Sequence, residues 1–337
     1  MYLCEFETPP IVIVSPGRLG DLVTAEAMFR KVHESEPHRP VVFYTLPAFA
    51  PVMAHCPYIA LTLTAQSKAD LAHPEEKFQP QSRFIKVNLS HPEMPEPDRP
   101  LFDQSWSLLN TFQFENALAL ENGHSKFYLE DDSPLPGLPE KYIVFHCQSN
   151  GKSRQWPLKN WRRLARYCIS RNMPVVEIGF GSVLDLSMPN YFDECRHPDI
   201  HDTARIIRHA SAVVGIESGM LHIANALGVF GFIITGALHE VREYNHYCGD
   251  YYEKKNCNFL RYYGCNPWQL PYEPVEIALG AFLDGKPLSA TECDAFCYRQ
   301  QLDGIQNSFA GKIRHFFTDF VQKTAMIRQF HQRPKRK

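Results

Sequence analysis

Three stretches of the chain concentrate residue types that can hold an anion. The first is Ser15-Pro16-Gly17-Arg18-Leu19-Gly20-Asp21, directly after an apolar run. Its glycines let the backbone come close to a ligand. The spacing of Gly17 and Gly20 is not Gly-x-Gly-x-x-Gly, which argues against a dinucleotide site and a Rossmann-type oxidoreductase. Asp21 opens a helical pattern, where aspartate also serves simply as an N-cap. The second stretch, His146-Cys147-Gln148-Ser149-Asn150-Gly151-Lys152-Ser153-Arg154-Gln155-Trp156-Pro157, is polar, carries Lys152 and Arg154, and ends in a proline suited to a helix start. A diphosphate needs cations and backbone N–H donors, and this loop offers both. It also reads as a surface loop with solvated cations. The third runs from Val213 to Gly228. An apolar strand meets Glu217-Ser218-Gly219, and a helix of small and apolar residues follows with His222 one turn in. Free N–H groups at such a helix start bind phosphate. Read alone, Glu217 is equally a helix cap and His222 a core histidine bonded to a carbonyl.

These stretches need elements to position them. Residues 11–14 are a continuous β-branched run, too short for a helix, and read as a strand buried on both faces. Residues 21–34 carry apolar positions near a 3.6 period (Leu22, Ala25, Met28, Phe29, Val32), and residues 41–45 form the next strand. The unit is β-α-β. From 67 to 99 the pattern weakens, with one strand candidate at 84–89, and reads as an irregular insertion near a cleft. Helical spacing returns over 101–120. Residues 131–139, Asp-Asp-Ser-Pro-Leu-Pro-Gly-Leu-Pro, form a proline-rich linker. Strands are then expected at 142–145, 175–178, 212–216 and 232–235, with helices at 158–170, 203–209 and 220–227. The boundaries expected are 1–130 for an N-terminal domain, 131–140 for the linker, 141–305 for a C-terminal domain, and 306–337 for a last helix and basic tail. In open parallel sheets ligands bind at the carboxyl ends of the strands.

The bulk numbers fit that organisation. The 337 residues are enough for two domains. The net charge is −2, from 35 basic and 37 acidic residues, with no basic excess of the kind a nucleic-acid binder carries. No run reaches the roughly 18 apolar residues of a spanning helix. Glu5 and Glu7 stand where a signal peptide would have its basic end, so a cytoplasmic protein is expected. The final Arg333-Pro334-Lys335-Arg336-Lys337 is a solvated tail or a weak contact for anionic lipid at the inner membrane.

Taken in order, the three stretches resemble the heptosyltransferases, glycosyltransferase family 9. Residues 217–228 are similar to the family's Asp-Ser/Thr-Gly-x-x-His-x-x-x-Ala-x-Gly signature. Arg154-Gln155-Trp156-Pro157-Leu158 resembles its Lys/Arg-x-Trp-Pro segment, and Gly20-Asp21-Leu22-Val23-Thr24 its Gly-Asp-x-x-x-Thr element, with the threonine one position earlier. Glu217 stands in place of the usual aspartate and Phe230 in place of a proline. No acidic residue of the sugar end can be assigned near 179–185. The resemblance implies a GT-B fold: α/β, two Rossmann-like domains facing each other across a cleft, with a C-terminal helix packing back. It implies inverting, metal-independent transfer of a sugar, heptose first, from a nucleotide-diphospho-sugar such as ADP-heptose. The acceptor would be a glycan, a lipopolysaccharide core or a protein. Asp21 is then the general base. Lys152, Arg154, Glu217, Ser218, Gly219 and His222 bind the donor, and Gly17 and Gly20 shape the acceptor-side loop. The alternative is a catalytically weak relative acting as a nucleotide-binding or assembly subunit.

No cofactor is required by this scheme. Most of the ten cysteines, such as Cys56, Cys147 and Cys168, sit in apolar context and read as buried thiols. Cys257, Cys265, Cys293 and Cys297 could together make a tetrahedral structural metal site. They resemble, without aligning residue by residue, the C-terminal cysteines of iron-binding heptosyltransferases that modify autotransporter proteins.

Overall fold

The computed structural model describes residues 3–86, 124–149, 151, 154–195, 197, 199–236, 247–261 and 266–286. They build two parallel sheets. The first has the order β3-β2-β1-β4, from β1 (Ile11–Ser15), β2 (Val41–Thr45), β3 (Leu61–Thr64) and β4 (Arg83–Lys86). The second has the order β10-β9-β8-β5-β6-β7, from β5 (Ile143–His146), β6 (Val175–Glu177), β7 (Tyr191–Asp193), β8 (Ala212–Ile216), β9 (Gly231–Ile234) and β10 (Cys257–Leu260). Every recorded pairing is parallel.

The β-branched runs are strands because alternate side chains enter different cores. Ile11 and Ile13 point into the core between the sheets, while Val12 and Val14 point into a smaller one on the far face of the first sheet. Val144 likewise faces the central core, and its neighbours Ile143 and Phe145 face a third. Helices α1 (Leu19–Ser35) and α5 (Gly219–Ala226) contribute to the core between the sheets and pack on each other. The outer face of the second sheet is covered by α3 (Leu158–Ser170) and α7 (Tyr272–Leu283). The remaining helices are α2 (Lys68–Ala72), α4 (Ile200–Arg208) and α6 (Gly249–Tyr252).

Several expectations are corrected. Helix α1 begins at Leu19, with Arg18 in the N-cap position, so Asp21 is the third helical residue and not the cap. In that first turn its carboxylate meets the positive end of the helix. Residues 67–86 are not an irregular insertion: they hold α2, a 3-10 turn at Pro74–Glu76, and β4, which pairs with β1. The helix α4 starts three residues earlier than its apolar pattern, because the Asp199 side chain caps the His201 N–H at 2.9 Å. The short strands β3, β7 and β10 and the helix α7 are additional. The helix expected over 101–120, the C-terminal helix, the basic tail, Lys152, Cys265, Cys293 and Cys297 lie outside the described residues.

A buried carboxylate ties the segment before the linker to α1. Glu26, 0% exposed, accepts hydrogen bonds from the Lys126 N–H (2.8 Å) and the Tyr128 hydroxyl (2.7 Å) and pairs with Arg30 at 3.6 Å. Arg30 in turn donates to the His124 carbonyl at 2.9 Å. Burial pushes the Glu26 carboxyl pKa up, against the opposing pull of Tyr128, Arg30 and Lys126.

Candidate functional site

Each sheet has a point where the chain changes direction across it. In the first sheet, β2 and β3 continue to one side of β1 and β4 lies on the other. In the second, β6 and β7 lie to one side of β5 and β8, β9 and β10 to the other. The loops leaving β1, β5 and β8 at these switch points are the three stretches singled out from the sequence. Crevices at such points are where open α/β sheets hold ligands.

The loop after β1 turns sharply. Gly17 has φ +91°, and a Cβ there would fall 2.0 Å from the Phe49 ring, so no other residue fits. The chain then enters α1 through Leu19 and Gly20, and both touch α5. A Cβ on Gly20 would lie 2.7 Å from the His222 ring, and a Cβ on Gly219 would lie 2.6 Å from Leu19. One turn further along α1, Thr24 Oγ1 lies 3.1 Å from His222 Nδ1, with both residues buried. The His222 ring also stacks on Tyr247, centroids 4.5 Å apart. The N-terminal ends of α1 and α5 therefore meet, and Asp21 stands on α1 between the two contacts with His222.

The loop after β5 is anchored at its far end. Trp156 is buried, donates from Nε1 to the Leu270 carbonyl at 2.9 Å and meets Trp161 edge to face. Two residues earlier, Arg154 reaches Glu217 at the end of β8, Nη1 to Oε2 3.0 Å. The two are 40% and 15% exposed. Ser218 holds the N-cap position of α5, but its hydroxyl makes no capping bond, although it is shielded from solvent. The structure thus joins the first stretch to the third through Gly20, Thr24 and His222, and the second to the third through Arg154 and Glu217.

Some features of this edge were not singled out from the sequence. His146 ends β5 and is 6% exposed. Burial pushes its imidazole down to about 4, only partly offset by the Ile178 carbonyl, to which Nδ1 donates at 3.3 Å. The buried Glu177 accepts bonds from the N–H groups of Val183 and Leu184 and from the Ser182 hydroxyl, and so fixes the loop after β6. A lone buried acidic residue in an apolar strand was the available signal. Arg18 is an exposed cation beside Asp21. Phe230, one of the departures from the family pattern, packs on Phe232 and Phe282 at the start of β9 and against α7.

Cys4, Cys56, Cys147, Cys168 and Cys248 are free thiols. Cys257 is buried in β10, with Sγ 3.6 Å from the Tyr251 carbonyl. Among the described residues no three metal-ligating side chains gather, and three of the four candidate cysteines lie outside them.

No family model and no curated protein matches the chain. Solved structures do. An ADP-heptose lipopolysaccharide heptosyltransferase II from E. coli superposes with a TM-score of 0.60 at 14% identity, over 81% of this chain and 98% of that one. A glycosyl transferase of family 9 from Veillonella parvula DSM 2008 gives 0.57 at 13%, over 83% and 90%. The iron-containing dodecameric glycosyltransferase TibC from enterotoxigenic E. coli H10407 gives 0.54 at 16%, over 80% and 67%. The chain has the α/β architecture of two Rossmann-like halves that these GT-B proteins share, and in structure it resembles the heptosyltransferases of glycosyltransferase family 9.

Proposed function

We propose that the chain transfers a sugar, heptose first among candidates, from a nucleotide-diphospho-sugar to a hydroxyl with inversion at the sugar carbon. ADP-heptose is the donor we favour, by analogy with the E. coli ADP-heptose heptosyltransferase. One observation carries the reading. Three stretches far apart in sequence converge on a single place, at the carboxyl ends of β1, β5 and β8.

The chemistry follows from what each group can do there. Asp21 takes the proton of the acceptor hydroxyl as its oxygen attacks the sugar carbon. The bond from that carbon to the diphosphate oxygen breaks with its electron pair on the leaving group. Arg154 holds the departing diphosphate, with Lys152 in support, and the N–H groups at the start of α5 share the charge through Ser218 and Gly219. Glu217 receives the sugar hydroxyls. Its bond to Arg154 lies at the rim of the site, with the Arg154 side chain 40% exposed, so a diphosphate can compete for the guanidinium. His222 holds α1 and α5 together through Thr24, rather than touching phosphate with Nδ1. Gly17 and Gly20 shape the acceptor side. The acceptor is a glycan, a lipopolysaccharide core or a protein, met in the cytoplasm, with the basic tail as a contact for the inner membrane.

Calorimetry with ADP-, GDP- and UDP-sugars, beside an Arg154→Ala control, tests the reading. Tight binding of one of them, lost in the variant, is expected. Binding without turnover of donor, by transfer or hydrolysis, would instead make the chain a nucleotide-binding subunit, and binding of none would refute the transferase reading in favour of an assembly subunit.

A further inference from the structure

The loop that leaves β6 carries an aromatic side chain in an unusual setting. Phe180 is 85% exposed, the most exposed of the large apolar side chains among the described residues. A single exposed apolar residue needs no explanation by itself, but the backbone that carries this one is held on both sides. Before Phe180, the buried Ile178 continues the sheet by donating its N–H to the Phe145 carbonyl at 3.0 Å. After it, Gln148 donates to the Gly181 carbonyl at 2.7 Å. The Glu177 carboxylate then gathers the Ser182 hydroxyl (2.8 Å) and the Val183 N–H (2.9 Å), and Leu184 is fully buried. Gly179, at φ +152°, makes the turn. The protein thus fixes the chain on both sides of Phe180 and leaves its ring in water, at the ligand-facing edge of the second sheet.

We propose that Phe180 is the platform on which the nucleobase of the donor nucleotide stacks. The inference rests on the donor reading above and extends it to the other end of the same molecule. Direction along the sheet decides the assignment. The diphosphate belongs at the β5–β8 switch point, where Arg154 and the start of α5 lie. The sugar must run from there toward Asp21, and α1 abuts α5 on the β8 side, through Gly20 on His222 and Leu19 on Gly219. The nucleoside end runs the opposite way, toward β6, the other neighbour of β5. The first loop on that side presents Phe180. An exposed phenyl offers a flat apolar face to any base and accepts all of them, because every base has a π-face. Stacking then supplies affinity, and base choice falls to hydrogen-bonding groups around the ring.

The test is calorimetry of the full chain with ADP and with inorganic pyrophosphate, which lacks a base. Phe180→Ala and Phe180→Trp are compared with the native protein. The ring is almost wholly in solvent, so the Ala variant keeps its melting temperature and the comparison reads binding alone. The expected result is a roughly 10- to 100-fold loss of ADP affinity in the Ala variant, with affinity kept in the Trp variant and pyrophosphate binding unchanged. ADP binding that is equal in native and Ala proteins overturns the stacking role and leaves the donor reading standing. A loss that extends equally to pyrophosphate also overturns it. Native protein that binds neither ADP, GDP nor UDP overturns the donor reading and the stacking role with it.

Discussion

In the proposed reaction Asp21 and Glu217 act at the residue scale, and each responds differently to a conservative change. Asp21→Asn preserves size and helix position and removes the base. Turnover is expected to fall by roughly 10²–10⁴ while ADP affinity stays level, measured by initial rates beside calorimetry. Unchanged turnover would remove Asp21 from the role. Glu217→Gln removes the charge of Arg154's partner and weakens the pair to a neutral hydrogen bond. The variant should bind ADP more tightly than the native protein and yet lose preference for the sugar-bearing donor over ADP. The two affinities move in opposite directions because Glu217 competes with one part of the ligand and binds another. A fall in both would show that the pair is part of the site's framework. Phe230 belongs to this scale by contrast. As a departure from the family pattern it invited a functional reading, yet it packs on Phe232 and Phe282 in the core beside α7.

At the scale of elements, the site depends on how closely α1 approaches α5. Gly20 allows that approach, because a methyl group there would sit 2.7 Å from the His222 ring. Overpacking of this kind costs about 1–3 kcal/mol. Gly20→Ala is therefore expected to lower the melting temperature and to reduce turnover more than donor affinity, since it moves Asp21 away from the sugar and leaves Arg154 in place. Thr24→Val takes the hydroxyl away from His222 Nδ1 in a buried setting, at a cost of about 1–3 kcal/mol, and Thr24→Ser should restore most of it. Thermal unfolding of both variants checks this, and equal stability of the Val and Ser proteins would show that the bond contributes nothing. The α1 helix was legible in the sequence from Leu22, Ala25, Met28, Phe29 and Val32, all of them buried. Its first turn was not, because no side chain caps it and its start is set by packing on α5.

Buried ionisable groups give the whole molecule a pH dependence. His146 titrates near 4 in the folded protein, because burial disfavours its charged form, and near 6.5 when unfolded. Between those values the unfolded chain binds more protons. Stability from this group is therefore complete above 6.5 and is lost as pH falls toward 4, on the order of 3 kcal/mol in all. The raised carboxyl of Glu26 acts in the reverse sense, giving up stability as pH rises past its unfolded value. Melting temperatures between pH 4 and 8 should show an acid limb that flattens in His146→Asn. An acid limb of the same slope in that variant would assign it to other groups.

What the sequence determined by itself was local. Short apolar runs rich in β-branched residues, such as 11–14 and 212–216, read as buried strands because they are too short for helices, and the 3.6-residue spacing over 158–170 reads as a helix. The order of the anion-holding stretches, each between a strand and a helix, was also local, and so the candidate residues could be named. Pairings across long separations were decided only by the tertiary structure. The short strands β3, β7 and β10 have too few residues to show a period and exist because a neighbouring strand offers its hydrogen bonds. Arg154 meets Glu217, and Thr24 meets His222, because the two sheets fold over α1 and α5 and bring the carboxyl ends of β1, β5 and β8 together. No spacing along a chain encodes that meeting, since it arises from burying the apolar faces of both sheets in a single core.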